Sequence, residues 1–231
     1  MKDIEFIPKS QEAEILVPRP KPAREYMPAW FKETPAFENN KMVIDDYGVA
    51  NKTEKLCMPF SDTLSFGYIQ ESWCDIQIEI KDGSLSFAVS GGPEMMEARN
   101  VDHRNYEGHG FYGFEFAWHI QWAPKVPKGY SVLYTHPLNR YDLPFYSFGA
   151  VVDSDKYFYE AAGNYPFLLK DNFSGIIPAG TPLFQIIPFK RDNWKSSSEK
   201  FSELNPIKAM VVNRNFWGTY RKQFWTKKSF K

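Results

Sequence analysis

Glu115 and His119 stand four residues apart in the run FEFAWHIQW (114–122). On a β-strand that spacing puts both on one face, with Gln121 beside them. In a small barrel or jelly roll such a face can look into the cavity, where His and carboxylate ligands suit a divalent ion such as Fe, Mn or Zn. His136 closes a later strand and could converge on the pair; Asp102, His103 and His109 in the preceding loop are further candidates. Together they would make a cupin-like metal-dependent enzyme of oxygenase or isomerase type. Against this, Phe114, Phe116, Trp118, Ile120 and Trp122 form so apolar a set that theirs should be the core face. Glu115 and His119 would then point to solvent or to a subunit contact. The chain also lacks a tight histidine cluster and the His-x-Asp/Glu order of a facial-triad iron site.

A second candidate is the polar, turn-rich segment THPLNR (135–140). His136, Asn139 and Arg140 could bind an anionic or sugar ligand, with Tyr134, Tyr130 or Tyr141 as a stacking surface. The competing expectation is a structural loop in which His136 and Asn139 satisfy backbone groups. Asp153 and Asp155 have the spacing of a calcium-binding turn but lack the glycine and distal Glu of an EF-hand loop. GxSxG, P-loop and GxGxxG patterns are absent, which removes support for hydrolase, nucleotide and dinucleotide chemistry.

The elements that must position these residues read as β. Residues 126–139, VPKGYSVLYTHPLN, and 177–190, IPAGTPLFQIIPFK, align without a gap. Each opens with a β-branched residue, Pro, a spacer and Gly. The expectation is a turn with Pro127 or Pro178 at its first central position, launching strands at 130–136 and 181–187. In DIQIEIKDGSLSFAV (75–89) a two-residue Asp82-Gly83 turn sets Ile80 opposite Leu85, Ile78 opposite Phe87 and Ile76 opposite Val89. All three apolar pairs then share one face. Residues 90–110 lack alternation and predict a loop or a short helix near Glu94–Arg99. Strands are expected at 114–122 and 146–152.

Six prolines between Pro8 and Pro35 predict an N-terminal arm (1–35), extended over 15–23, with a short helical turn around Arg24–Lys32. The β core spans 36–195. Ser196 and Glu199 make a capping box for a helix interrupted by Pro206, and Trp217, Tyr220 and Phe224 fall on one helical face. Residues 204–231 contain no acid, so 196–231 is expected as a basic, aromatic helical segment laid on the domain. A nucleic-acid-binding tail is the competing possibility. The fold class is mainly β: an antiparallel sandwich or jelly roll, double-stranded β-helix-like, with these two appendages.

At 231 residues the chain can bury roughly 70% of its unfolded surface, so it needs neither metal nor disulfide to fold. The 28 basic residues balance 28 acidic ones, which gives no whole-molecule attraction to nucleic acid or membrane. Cys57 and Cys74 are expected as buried reduced thiols. No signal peptide is evident, and no stretch approaches about 18 apolar residues, so a protein of a reducing cytoplasm is expected.

The run GYSVLYTHPLNRYDLPF (129–145), with GAVVDSDKY (149–157) and IPAGTPLFQIIPFKRDNW (177–194), resembles an uncharacterised family of tailed bacteriophages. That family is found notably in phages of cyanobacteria and other aquatic hosts, and in some bacteria. KPAREYMPAWFK (21–32) and KLCMPFSDTLSFGY (55–68) are similar to its N-terminal half. The resemblance implies a phage setting, in host cytoplasm or virion, and a β-sandwich or double-stranded β-helix, but transfers no catalytic residue. The expected function is a non-enzymatic binding or assembly protein without cofactor. Its partners would be copies of itself or other phage proteins, met through the N-terminal arm and the C-terminal segment.

Overall fold

The computed structural model describes residues 2–81, 84–102, 106, 108–158, 163–201 and 220–231. The N-terminal stretch forms β1 (Glu5–Pro8), α1 (Gln11–Leu16), β2 (Lys21–Pro22) and α2 (Ala29–Glu33). Helix α3 (Met58–Leu64) leads into β3 (Tyr68–Glu71). Then follow β4 (Ile76–Lys81), β5 (Ser84–Val89), β6 (Met96–Asp102), β7 (Phe111–His119), β8 (Trp122–Lys125) and β9 (Tyr130–Thr135). The last five strands are β10 (Phe145–Ser147), β11 (Ala150–Val152), β12 (Asn164–Lys170), β13 (Gly175–Ile177) and β14 (Pro182–Lys190). Every strand pairing is antiparallel, in sheets ordered β11-β9-β14-β3-β2, β10-β12-β7-β6, β13-β4-β5 and β1-β8. The protein is mainly β, as its patterning predicts. Among the described residues no helix is long and apolar enough to cross a membrane.

One core joins the sheets. Tyr134, Phe184 and Ile186 from the five-stranded sheet meet Phe116, Trp118, Phe145 and Phe167 from the four-stranded one, with Ile76 and Ile78 of β4 at one side. Trp118 is fully buried and stacks flat on Phe167, ring centroids 3.6 Å apart. Its Nε1 donates to Ser147 Oγ at 3.0 Å, and that hydroxyl donates to Leu183 O at 2.8 Å, linking β10 to β14 across the layers.

The 75–89 hairpin has the predicted register, with Ile80, Ile78 and Ile76 opposite Leu85, Phe87 and Val89. Its Asp82-Gly83 turn lies outside the described residues. The two corners also form, with one correction. Tyr130 N donates to Pro127 O at 3.1 Å and Thr181 N to Pro178 O at 3.2 Å, so each proline is the first residue of its turn, not the second. Gly129 (φ 86°) and Gly180 (φ 82°) take the third position, where a type II turn needs positive φ. Their strands pair with each other: β9 and β14 are neighbours, Tyr130 opposite Lys190 and Thr135 opposite Gln185. An aspartate clamps each corner. Asp155 accepts from Gly129 N, and Asp75 accepts from Ala179 N, both at 2.8 Å.

Several expectations are corrected. Residues 96–102 are strand β6 on the edge of the four-stranded sheet, neither loop nor helix. The 114–122 run divides into β7 and β8, and β8 pairs with β1. Phe114 is 55% exposed, whereas Glu115, Ala117, His119 and Gln121 are all buried, so β7 is covered on both faces there. The 146–152 run divides between β10 and β11 in different sheets. Residues 15 and 16 belong to α1, whose start is capped by Ser10 accepting from Ala13 N at 3.0 Å. Cys57 is exposed and Cys74 half-buried; both are free thiols. Ser196–Phe201 are not helical, so the capping box opens no helix there. Trp217 lies outside the described residues, and Tyr220–Phe224 make one wide turn whose Tyr220 and Phe224 rings are exposed.

Candidate functional site: the loop after the first corner and the hairpin at its side

His136 follows β9, where the backbone turns into a loop that crosses towards the N-terminal arm. Its Nδ1 accepts from Ser147 N at 3.3 Å, and its Nε2 lies 2.9 Å from Arg140 O. That pattern needs a neutral ring carrying its proton on Nε2, because a second proton would face the Ser147 N–H. Burial, the dominant cause, pushes the imidazole below its usual range, outweighing the favourable Arg140 carbonyl. Carbon-bound imidazole protons of His136 are therefore expected to titrate by NMR with a midpoint below the ordinary value near 6.5. With the folded pKa depressed, the unfolded chain takes up the proton first, so this contribution to stability is present above pH 6.5 and falls away as pH drops below it. A midpoint at or above 6.5 would contradict the assigned hydrogen bonds.

Asn139 adopts a left-handed backbone (φ 60°), and its Nδ2 donates to Thr63 Oγ1 of α3 at 2.6 Å. Arg140 grips Asp142 through Nε and Nη2, both at 2.9 Å, and donates from Nη1 to Tyr26 O at 3.2 Å. Partial burial opposes the Asp142 charge, yet the Arg140 guanidinium holds its carboxyl below the usual range. Tyr134 is 1% exposed in the core and offers no stacking surface. Gln185, to which the sequence draws no attention, completes the knot. Its Oε1 accepts from Leu138 N at 2.8 Å, and its Nε2 donates to Thr63 O and Phe66 O. The loop binds the arm, α3 and β14 together; His136, Asn139 and Arg140 spend their polar groups inside the molecule.

The metal candidates are not gathered. Glu115 pairs with Arg99 at 2.7 Å. His119 sits between the carboxylates of Glu94 (3.6 Å) and Glu97 (3.4 Å). His119 Nε2 makes no hydrogen bond. Among the described residues no three His, Cys, Asp or Glu side chains form a group able to hold a metal ion. His103 lies outside the described residues, and His109 is exposed. At the first corner Asp153 and Asp155 receive a cation from the chain itself: Arg191 Nη1 lies 3.1 Å from Asp153 and Nη2 grips Asp155. That guanidinium and the Gly129 amide bring the Asp155 carboxyl down to about 2.

Beside this loop, α2 carries a protruding hairpin. Trp30 of α2 packs on Tyr141 (centroids 5.3 Å) and meets Asp142 through Nε1 at 3.4 Å. Lys55, beyond the hairpin, donates to Phe31 O at 2.7 Å and Lys32 O at 3.1 Å. Isolated bridges join Phe37 to Lys52 and Ile44 to Ala50. Two side chains fix the backbone between them. Asn51 accepts from Val43 N and donates to Lys41 O and Glu38 O; Asp45 accepts from Tyr47 N and Val49 N. Yet Met42, Val43, Ile44, Tyr47 and Val49 are 49%, 53%, 48%, 86% and 60% exposed. Polar side chains thus hold apolar ones out in water.

Compared with known proteins, the chain matches no family model and no curated protein. The hairpin is not legible in the sequence because MVIDDYGV (42–49) shows no sustained alternation. The Asp45…Gly48 turn was its one available signal.

Proposed function

We propose that this protein is a non-enzymatic binding or assembly protein that docks on other proteins through its N-terminal region, in a phage setting and on the virion. The observation that supports this is the 41–49 hairpin. Its five exposed apolar side chains together present on the order of 500 Å² of surface within nine residues, on the scale of the apolar patches that mark interaction sites. Asp45 and Asn51 fix the backbone before a partner arrives, so little ordering entropy opposes binding. The phage setting rests on the resemblance of residues 129–145 and 177–194, and a jelly-roll winding of the sheets belongs to the same proposal.

The test is mass spectrometry of purified virions. The chain is expected in the particles in stoichiometric amount. A variant carrying Ile44→Ser and Tyr47→Ser should fold with an unchanged melting temperature, because both side chains already face water, and should be depleted from particles at least tenfold. Absence of the unaltered chain from particles overturns the virion assignment. Equal incorporation of the variant overturns docking through the hairpin.

A further inference from the structure

Strand β5 and the residues that follow it read SLSFAVSGG (84–92), with neither a charge nor a proline. The strand ends the three-stranded sheet β13-β4-β5, so only one of its two edges is paired. Ser90 N donates to Asp75 O at 3.2 Å, in step with the Ala88–Gln77, Ser86–Glu79 and Ser84–Lys81 pairs. Bonded pairs alternate with unbonded ones in an antiparallel ladder, so Ser84, Ser86, Ala88 and Ser90 turn their N–H and C=O groups to β4. Leu85, Phe87 and Val89 turn theirs outward. Among the described residues no hydrogen bond reaches those outward groups.

Proteins protect free sheet edges by keeping them short, or with proline, charge or a bulge. Among the described strands every other free edge carries such a device. β10, β11 and β13 have three residues each, β1, β2 and β8 contain proline, and β6 bulges between Ala98 and Asp102 and carries Glu97 and Arg99. β5 has none of these. On its core side Leu85, Phe87 and Val89 are only partly buried, whereas Ile76 and Ile78 beside them on β4 are 0% and 1% exposed. On its outer side Ser84, Ser86 and Ala88 are small and exposed. The end of the strand is pinned, because Cys74 Sγ donates to Gly91 O at 3.0 Å and Trp73 Nε1 to Pro93 O at 3.2 Å. An incoming strand therefore meets a fixed, uncharged template with apolar side chains still open to water.

The edge is also its own complement. Turned about a two-fold axis through Phe87, a second β5 sets Phe87 opposite Phe87, Leu85 opposite Val89 and Ser86 opposite Ala88. The outward groups then meet as three bonded pairs exchanging two bonds each, and no charge faces a like charge. At the usual density of interfacial hydrogen bonds these correspond to roughly 600–1,200 Å² of buried surface, the size of a weak, reversible pair. The edge offers no charge to select a foreign sequence, whereas its own sequence matches it apolar to apolar and small to small. We infer that β5 is a docking edge for a second copy of this chain: two copies join there antiparallel, and β13-β4-β5 becomes half of a six-stranded sheet. This contact uses neither the 41–49 hairpin nor the chain ends, and it stands independently of docking through them.

Sedimentation of the full chain, with amide hydrogen exchange on the same samples, tests it. At high micromolar concentration the unaltered chain should form dimers. The amides of Leu85, Phe87 and Val89 should then exchange severalfold more slowly than in dilute solution, while those of Ser86 and Ala88, already bonded to β4, change little. Ser86→Lys with Ala88→Lys sets lysine opposite lysine in the pair and should stay monomeric, as should Ser86→Glu with Ala88→Glu. Both positions face water, so both variants should match the unaltered chain by circular dichroism. Mixed, they should form a one-to-one dimer, because each lysine then faces a glutamate. A monomeric unaltered chain overturns the proposal. So does a dimer that leaves the three outward amides unprotected, or one that survives the paired lysines, since either would form through another surface. Two variants that stay apart when mixed overturn the antiparallel two-fold register.

Discussion

Trp118→Ala is expected to lower unfolding free energy by about 3–5 kcal/mol, the range for removing a large aromatic side chain from a packed core. The site allows little relaxation. Trp118 has no exposed surface, lies parallel to Phe167 within 3°, and meets the edge of Phe145 at 5.1 Å. The change also takes the indole donor from Ser147, whose hydroxyl reaches on to Leu183 O. Two layers therefore lose a cross-link along with a ring. Trp118→Phe keeps most of the ring stack and loses the donor, so it should cost less than half as much. Urea denaturation checks both: the midpoint should fall in the order tryptophan, phenylalanine, alanine, with similar slopes. A midpoint unmoved by the alanine change would show that Trp118 is not the centre of the core.

Gly67→Ala is expected to cost roughly 2–5 kcal/mol, from left-handed strain together with overpacking. Gly67 has φ 75°, and a Cβ there would stand 2.3 Å from Ile186 O, on the neighbouring strand β14, and 3.1 Å from Ile187 Cγ1. Backbone cannot swing away as a side chain can, so β3 and β14 would have to separate. Gly48→Ala is the matched control. Its φ is 76°, but no atom lies within 4 Å of the added methyl. It should show the strain alone, about 1–2 kcal/mol, and only locally within the exposed hairpin. Thermal melts of the two variants measure the difference, which isolates the close approach of β3 to β14. Equal melting temperatures would contradict it.

What could be read from the sequence was whatever depends on near neighbours. The 76–89 register follows from alternation and a two-residue turn, and it is reproduced pair for pair. The corners follow from Pro and Gly spacing, although only the hydrogen bonds place each proline first in its turn. What failed depends on partners far along the chain. Alternation in 114–122 implies one wet face, but Arg99 comes from β6 to cover Glu115, and Glu94 and Glu97 from the same region flank His119. Arg140 has the chemistry of an anion-binding residue until Asp142 and the distant Tyr26 carbonyl claim it. The anchors among the described C-terminal residues differ from the expected Tyr220 and Phe224 for the same reason. Helical spacing favours Tyr220 and Phe224, while Asp62 and Phe66, far away in sequence, select Trp225 and Phe230.

The two clamped corners bear on errors of assembly. They sit at opposite ends of the β9–β14 ribbon, one beside the Tyr130–Lys190 pair and the other before Pro182. Sliding one strand past the other by a single residue would turn every side chain of that strand to the wrong face. It would also break the ladder bond from Arg191 N to Gly129 O and carry Arg191 away from Asp155, which holds the first corner. The ribbon is thus indexed as a machined part is indexed by two locating pins. A shift of either strand disengages the first, and a shift of β14 also draws Ala179 away from Asp75 at the second.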